Sequence, residues 1–115
     1  MISPGRNIAI KVPLYKWEET LAFYRDRVGL KVTKTLENSV AFAFGDMTLW
    51  IDRVAAQSQT DVWLELFTDR PDVALEHLQS PERNTLEPLD GVTGHWTSDP
   101  AGVVLLLRKP ETGNE

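Results

Sequence analysis

Apolar and polar residues alternate along residues 7–12, with Ile8, Ile10 and Val12 on one face and Asn7, Ala9 and Lys11 on the other, until Pro13 interrupts the pattern. That period of two predicts a half-buried strand. The period then changes. Trp17, Leu21, Tyr24 and Val28 fall at i, i+4, i+7 and i+11, which sets them on one side of a helix that Gly29 stops, with Phe23 flanking the stripe. Extended stretches follow at 30–36, 40–44 and 47–52, the last two joined by a turn at Gly45 and Asp46. The first half therefore reads strand, helix, three strands.

Residues 53–60 are small and polar and predict a connector. Beyond them Val62, Leu64 and Leu66 alternate with Trp63, Glu65 and Phe67. Asp69 is then placed to cap a helix that has Pro71 in its first turn and runs to about Gln79. Three further strands are expected at 84–89, 92–97 and 103–108, with a turn from Asp99 through Gly102 before the last and a frayed polar tail over 109–115. Shifting the chain by 56 positions lays Ile8 and Ile10 on Leu64 and Leu66, and Leu49 and Ile51 on Leu105 and Leu107. The pattern is thus an internal repeat of a βαβββ unit, and neither half covers its own sheet alone. One domain over 1–115 is expected, with a first module at about 6–52, a linker at 53–60 and a second module at about 61–108.

Composition narrows the picture. A chain of 115 residues with 42% hydrophobic and 25% charged positions has the balance of a globular protein with one core. No apolar run is long enough to span a bilayer, and MISPGRN lacks the pattern of a secretory leader, so a soluble, cytoplasmic protein with no membrane partner is expected. The absence of cysteine removes thiolate chemistry and disulfides, and a net charge of −5 argues against nucleic acid as a partner.

The string TLAFYRDRVGLKV, residues 20–32, and the string DPAGVVLLL, residues 99–107, resemble the first helix with its following strand, and the closing turn with its strand, of the vicinal oxygen chelate superfamily. That superfamily comprises glyoxalases, bleomycin-resistance proteins and dihydroxybiphenyl dioxygenases. With the duplicated βαβββ order, the likeness covers residues 7–108. It implies an α+β fold in which two βαβββ modules form curved mixed sheets around a cleft, and a homodimer. The enzymes of the superfamily hold a divalent ion with His or Gln on the first strand of each module and Glu on the last. The matching positions here are Asn7, Trp50, Trp63 and Leu106. Indole and isobutyl groups donate nothing to a metal, so neither a metal nor another cofactor is expected.

Strand alternation sends Asn7, Lys11, Trp50, Trp63, Glu65, Phe67 and Leu106 toward the cleft, and Phe42 and Trp96 join them as expected ligand contacts. Trp50 and Trp63 can stack on an aromatic ring, and indole faces with Glu65 suit a cationic group. The competing structural reading is that the aromatic residues fill the core and that Glu65 pairs with Lys11. The leading expectation is a small-molecule binding protein without metal, sequestering an aromatic and in some cases cationic compound such as an antibiotic. The alternative is a metal-independent isomerase, lyase or cyclase in which Glu65 or His95 moves a proton. The facing of His95 decides whether it can pair with Glu65. His77, beside Glu76, and the run Glu18, Glu19, Arg25, Asp26, Arg27 read as solvated helix surface.

Overall fold

The computed structural model describes residues 1–83 and 86–111. The elements run β1 (Ile2–Val12), α1 (Leu14–Ala22), β2 (Val32–Thr35), β3 (Ser39–Phe44), β4 (Met47–Arg53), β5 (Asp61–Thr68), α2 (Pro71–Leu78), β6 (Gly94–Ser98) and β7 (Val104–Arg108). The chain is α+β, and it divides into two compact units, Arg6–Trp63 and Met1–Gly5 with Leu64–Glu115.

In the unit Arg6–Trp63 the strand order is β2-β3-β4-β1, with β1 and β4 parallel and the other pairs antiparallel. The register sets Ile8 beside Leu49 and Ile10 beside Ile51, while Ala9 lies beside Trp50 and Lys11 beside Asp52. One face of the sheet is therefore aliphatic and the other polar and aromatic, as the alternation predicts. Helix α1 covers the aliphatic face. Its Trp17 and Leu21 join Val12, Val40, Phe42, Leu49 and Ile51 in one buried cluster, against which Ile8, Ile10, Tyr24, Leu30 and Val32 pack. The Trp17 indole N–H reaches the Ile51 carbonyl at 3.4 Å, and the Arg53 guanidinium lies 4.3 Å from the Trp17 ring.

The expected helix from Trp17 to Gly29 is there, with its last stretch, Phe23–Val28, wound as a π-helix. The Tyr24 carbonyl accepts from both Gly29 and Leu30 at 3.1 and 2.9 Å, and Gly29 closes the helix in the left-handed region at φ 85°. Only glycine adopts that conformation without a Cβ penalty. The wider turn leaves Tyr24 tilted against Phe42, with ring centroids 6.4 Å apart, and Phe23 half exposed.

In the unit formed by residues 1–5 and 64 onward, the order is β5-β7-β6, with β6 and β7 antiparallel. Here α2 packs on β6 and β7. Asp69 does not cap it. The N-cap position is Arg70, whose backbone N–H bonds the Thr68 hydroxyl at 3.2 Å, and Pro71 opens the helix as expected. The turn after β6 forms as read from the sequence: the Asp99 carboxylate accepts from the Ala101 and Val103 amides at 2.8 and 2.9 Å. The strand expected at 84–89 departs from that reading. Residues 84 and 85 lie outside the described residues, and 86–89 carry no strand. Pro88 supplies no N–H for a ladder, which is the physical reason a strand is disfavoured there. Among the described residues no helix is long and apolar enough to cross a membrane.

Candidate functional site

On the sheet face of Arg6–Trp63 that α1 does not cover, β1 presents Asn7, Ala9 and Lys11, and β4 presents Thr48, Trp50 and Asp52. These side chains are organised by specific contacts. The Trp50 indole N–H donates to the Asn7 amide oxygen at 2.8 Å, so two of the four positions that the resemblance matches to metal ligands are bonded to one another. Lys11, 5% exposed, forms an ion pair with Asp52 at 2.7 Å and sits 4.3 Å from the centre of the Trp63 ring. A buried ammonium needs such compensation, since desolvation alone would cost several kcal/mol. Phe42 lies elsewhere: it is fully buried among Trp17, Leu21 and Leu49 on the helix-covered face. Its partner across the strands is Leu49, whereas Trp50 faces Ala41, so alternation itself removes Phe42 from the Trp50 face.

In the other unit, Glu65 is 8% exposed, and an Arg108 guanidinium nitrogen lies 3.5 Å from its carboxylate. The backbone of β1 approaches this pair closely at Gly5, where any Cβ would fall 2.6 Å from the Glu65 side chain. Phe67 shares the Glu65 side of β5 by alternation and is half-buried. Trp96 stands opposite Leu106 in the β6 and β7 register, and its indole N–H donates to the Glu87 carbonyl at 3.0 Å.

His95 faces the other way. It is opposite Leu107, the neighbour of Arg108, so it projects from the sheet face opposite to Arg108 and toward α2. There its two ring nitrogens meet Asp72 at 2.5 Å and Glu82 at 2.6 Å. Burial disfavours its charge, but the hydrogen bonds to Asp72 and Glu82 outweigh that effect and hold its pKa above the ordinary imidazole value. The ring also lines a cavity of about 400 Å³ with Asp69, Arg70, Val73, Thr93 and Lys109. The structure does not bring His95 and Glu65 together, and an acid and base pair of these two is not formed. His77 is exposed on α2, as its surroundings in the sequence suggest.

Asp52 and Arg108 escaped selection as site residues although both were legible in principle. Asp52 shares the face of Lys11 by alternation, and Arg108 is two residues past Leu106 on the same strand. The partners of His95 carried no such signal, because Asp72 and Glu82 lie at unrelated separations from it.

The donor set does not fit the divalent ion of the superfamily's enzymes. Asn7 offers one amide oxygen, which already accepts from Trp50, and Trp50, Trp63 and Leu106 have no donor atom for a metal. No group of three or more His, Cys, Asp or Glu residues is arranged to hold a metal ion among the described residues. The ring nitrogens of His95 point to carboxylates on opposite sides and so do not converge with them on one point.

No family model matches the chain, and no curated protein matches it in sequence. Solved structures match its fold. A hypothetical protein from Bacillus halodurans C-125 superposes with a TM-score of 0.68 at 11% identity, covering 99% of this chain and 98% of that one. A variant of homoprotocatechuate 2,3-dioxygenase from Brevibacterium fuscum gives a TM-score of 0.62 at 18% identity over 99% of this chain and 34% of its own. The chain thus spans about a third of that enzyme's length. A glyoxalase/bleomycin resistance protein/dioxygenase superfamily member from Vibrio splendidus 12B01 gives 0.51 at 10% identity, covering 90% and 97%. The chain has the fold that the strings at 20–32 and 99–107 resemble, the vicinal oxygen chelate fold.

Proposed function

We propose that this protein binds an aromatic small molecule of the antibiotic kind without a metal, and that the Trp50 face of Arg6–Trp63 takes the ring. The observation that carries this reading is the 2.8 Å hydrogen bond from Trp50 to Asn7. It uses the only ligand-type oxygen in the metal-equivalent set and fixes the indole plane, and a fixed indole is a stacking platform with little rotamer entropy left to lose. The charge on the preferred ligand also follows from the contacts. The Trp63 face already has the Lys11 ammonium, and Glu65 already has Arg108. Both anchors for a ligand cation are therefore engaged, which favours neutral or anionic aromatics over cationic ones.

A panel of neutral, anionic and cationic aromatic compounds tests this, read by tryptophan fluorescence and by melting temperature. Quenching and stabilisation by uncharged or anionic members, lost in Trp50→Leu and accompanied by no product, is the expected result. Chemical turnover of a bound compound would replace this reading with catalysis, and stoichiometric zinc, iron or manganese in purified protein would overturn it. A homodimer belongs to the same proposal, and sedimentation equilibrium measures it directly.

A further inference from the structure

We propose that protonated His95 is a pH-sensitive latch that holds residues 80–83 over the open edge of β6. The strand β6 is the last in the order β5-β7-β6, so β7 pairs with only one of its edges. Along the other edge runs the connector that leaves α2. The Trp96 carbonyl accepts from the Arg83 amide at 2.7 Å, and the Thr97 hydroxyl bonds Ser80 Oγ at 2.8 Å and the Pro81 carbonyl at 2.6 Å. An uncovered edge strand is a template for unwanted pairing, and this segment supplies the cover.

None of these three attachments titrates near neutral pH. A fourth does. His95 Nδ1 meets the Glu82 carboxylate on the connector, and its Nε2 meets Asp72 on α2. Ionised carboxylates only accept hydrogen bonds, and a neutral imidazole has a single N–H. Both contacts are made together only by the imidazolium, with two N–H donors. Losing the proton leaves one ring nitrogen lone pair facing a carboxylate oxygen at hydrogen-bond distance, a repulsive arrangement that pushes Glu82 or Asp72 away. The charged groups that line the cavity beside the ring, besides Asp72, are Asp69 and Arg70 ahead of α2 and Lys109 beyond β7. They provide one negative and two positive charges, so the preference for the imidazolium is set by the two contacting carboxylates.

The direction of the pH effect follows from linkage. A folded-state pKa above the unfolded value contributes stability that is fully present below the unfolded imidazole pKa and is lost as pH rises through the folded one. The latch is closed in mild acid and opens on the alkaline side of the raised His95 pKa. Helix α2 packs on β6 and β7 independently of the histidine and buries Ala74 fully, so opening frees the connector locally.

The experiment is an NMR titration of the imidazole signals, assigned with His77→Gln, together with amide hydrogen exchange at Arg83 across pH. His95 titrating above an ordinary histidine, with a downward shift in both Asp72→Asn and Glu82→Gln, is expected. Arg83 protection is expected to fall through that midpoint by more than base-catalysed exchange accounts for in His95→Gln. A His95 midpoint at or below the ordinary value overturns the latch, as does Arg83 protection that runs parallel in wild type and His95→Gln. If His95→Gln does not fold, the two carboxylate variants supply the comparison: failure of both to lower the midpoint overturns it. No ligand enters this test, so its outcome is separate from that of the binding proposal.

Discussion

Both units of this chain set a helix on a sheet, with three strands after the helix in the first and two among the described residues of the second, and each is stabilised differently. In Arg6–Trp63, α1 brings Trp17 and Leu21 onto a sheet face where Phe42 and Ile51 are both 0% exposed. In the other unit α2 buries only Pro71 and Ala74, and Leu64, Val73 and Leu78 stay 37%, 37% and 36% exposed. Burial of a large side chain is worth about 1.5 to 3 kcal/mol, and of a small one far less. The second unit depends correspondingly more on polar links: Asp72 and Glu82 to His95, Ser80 and Pro81 to Thr97, Glu87 to Trp96. Apolar burial is insensitive to mild pH change, whereas a histidine link is not. The proposed latch at His95 lies in the unit whose helix has the smaller apolar face.

The sharpest way to break this contrast is to empty the first core. Phe42→Ala should cost about 4 kcal/mol in chemical denaturation, because the site is fully buried and collapses only in part. A loss of under about 1 kcal/mol would mean that Phe42 is not the keystone its burial implies. Next is the polar side of the same sheet. Lys11→Ala leaves the part-buried Asp52 without the ammonium 2.7 Å away and should destabilise by about 3 kcal/mol. Partial recovery in the double variant Lys11→Ala with Asp52→Asn distinguishes an orphaned charge from lost packing.

In the second unit the tightest spot is at the start of β6. A Cβ on Gly94 would clash with the Leu107 carbonyl and lie 2.8 Å from Arg108 Cα, so Gly94→Ala should cost about 1 to 3 kcal/mol through strain in the β6 and β7 pair. Leu64→Ala closes the series. With 37% of the residue open to solvent, the thermal midpoint should fall by a shift equivalent to less than about 1 kcal/mol. A larger effect would show that β5 is covered in solution by something the isolated chain does not supply.

Much of the first unit was legible from pattern alone. The alternation over 7–12, the stripe from Trp17 to Val28 and the stop at Gly29 each specify an element locally, and β1, α1 and its π-helical end follow them. The Asp99 turn was equally plain, since its carboxylate bonds amides two and four residues on. Alternation also places Lys11 and Trp50 on one face. Applied to the antiparallel pairing of β3 with β4, the same rule places Phe42 with Leu49, away from Trp50.

What the sequence by itself determined is the set of local periods and stops, and through them which side chains share a strand face. These depend on backbone geometry within a few residues, which the residue types encode directly. Only the tertiary structure decided who meets whom across the chain: Trp50 with Asn7, Glu65 with Arg108, and His95 with Asp72 and Glu82. Those pairings are set by strand register and by the path of connectors, and a separation of 43 residues between Asn7 and Trp50 leaves no periodic trace. The charge state of His95 belongs to the second kind, since it depends on two carboxylates brought to it by different elements.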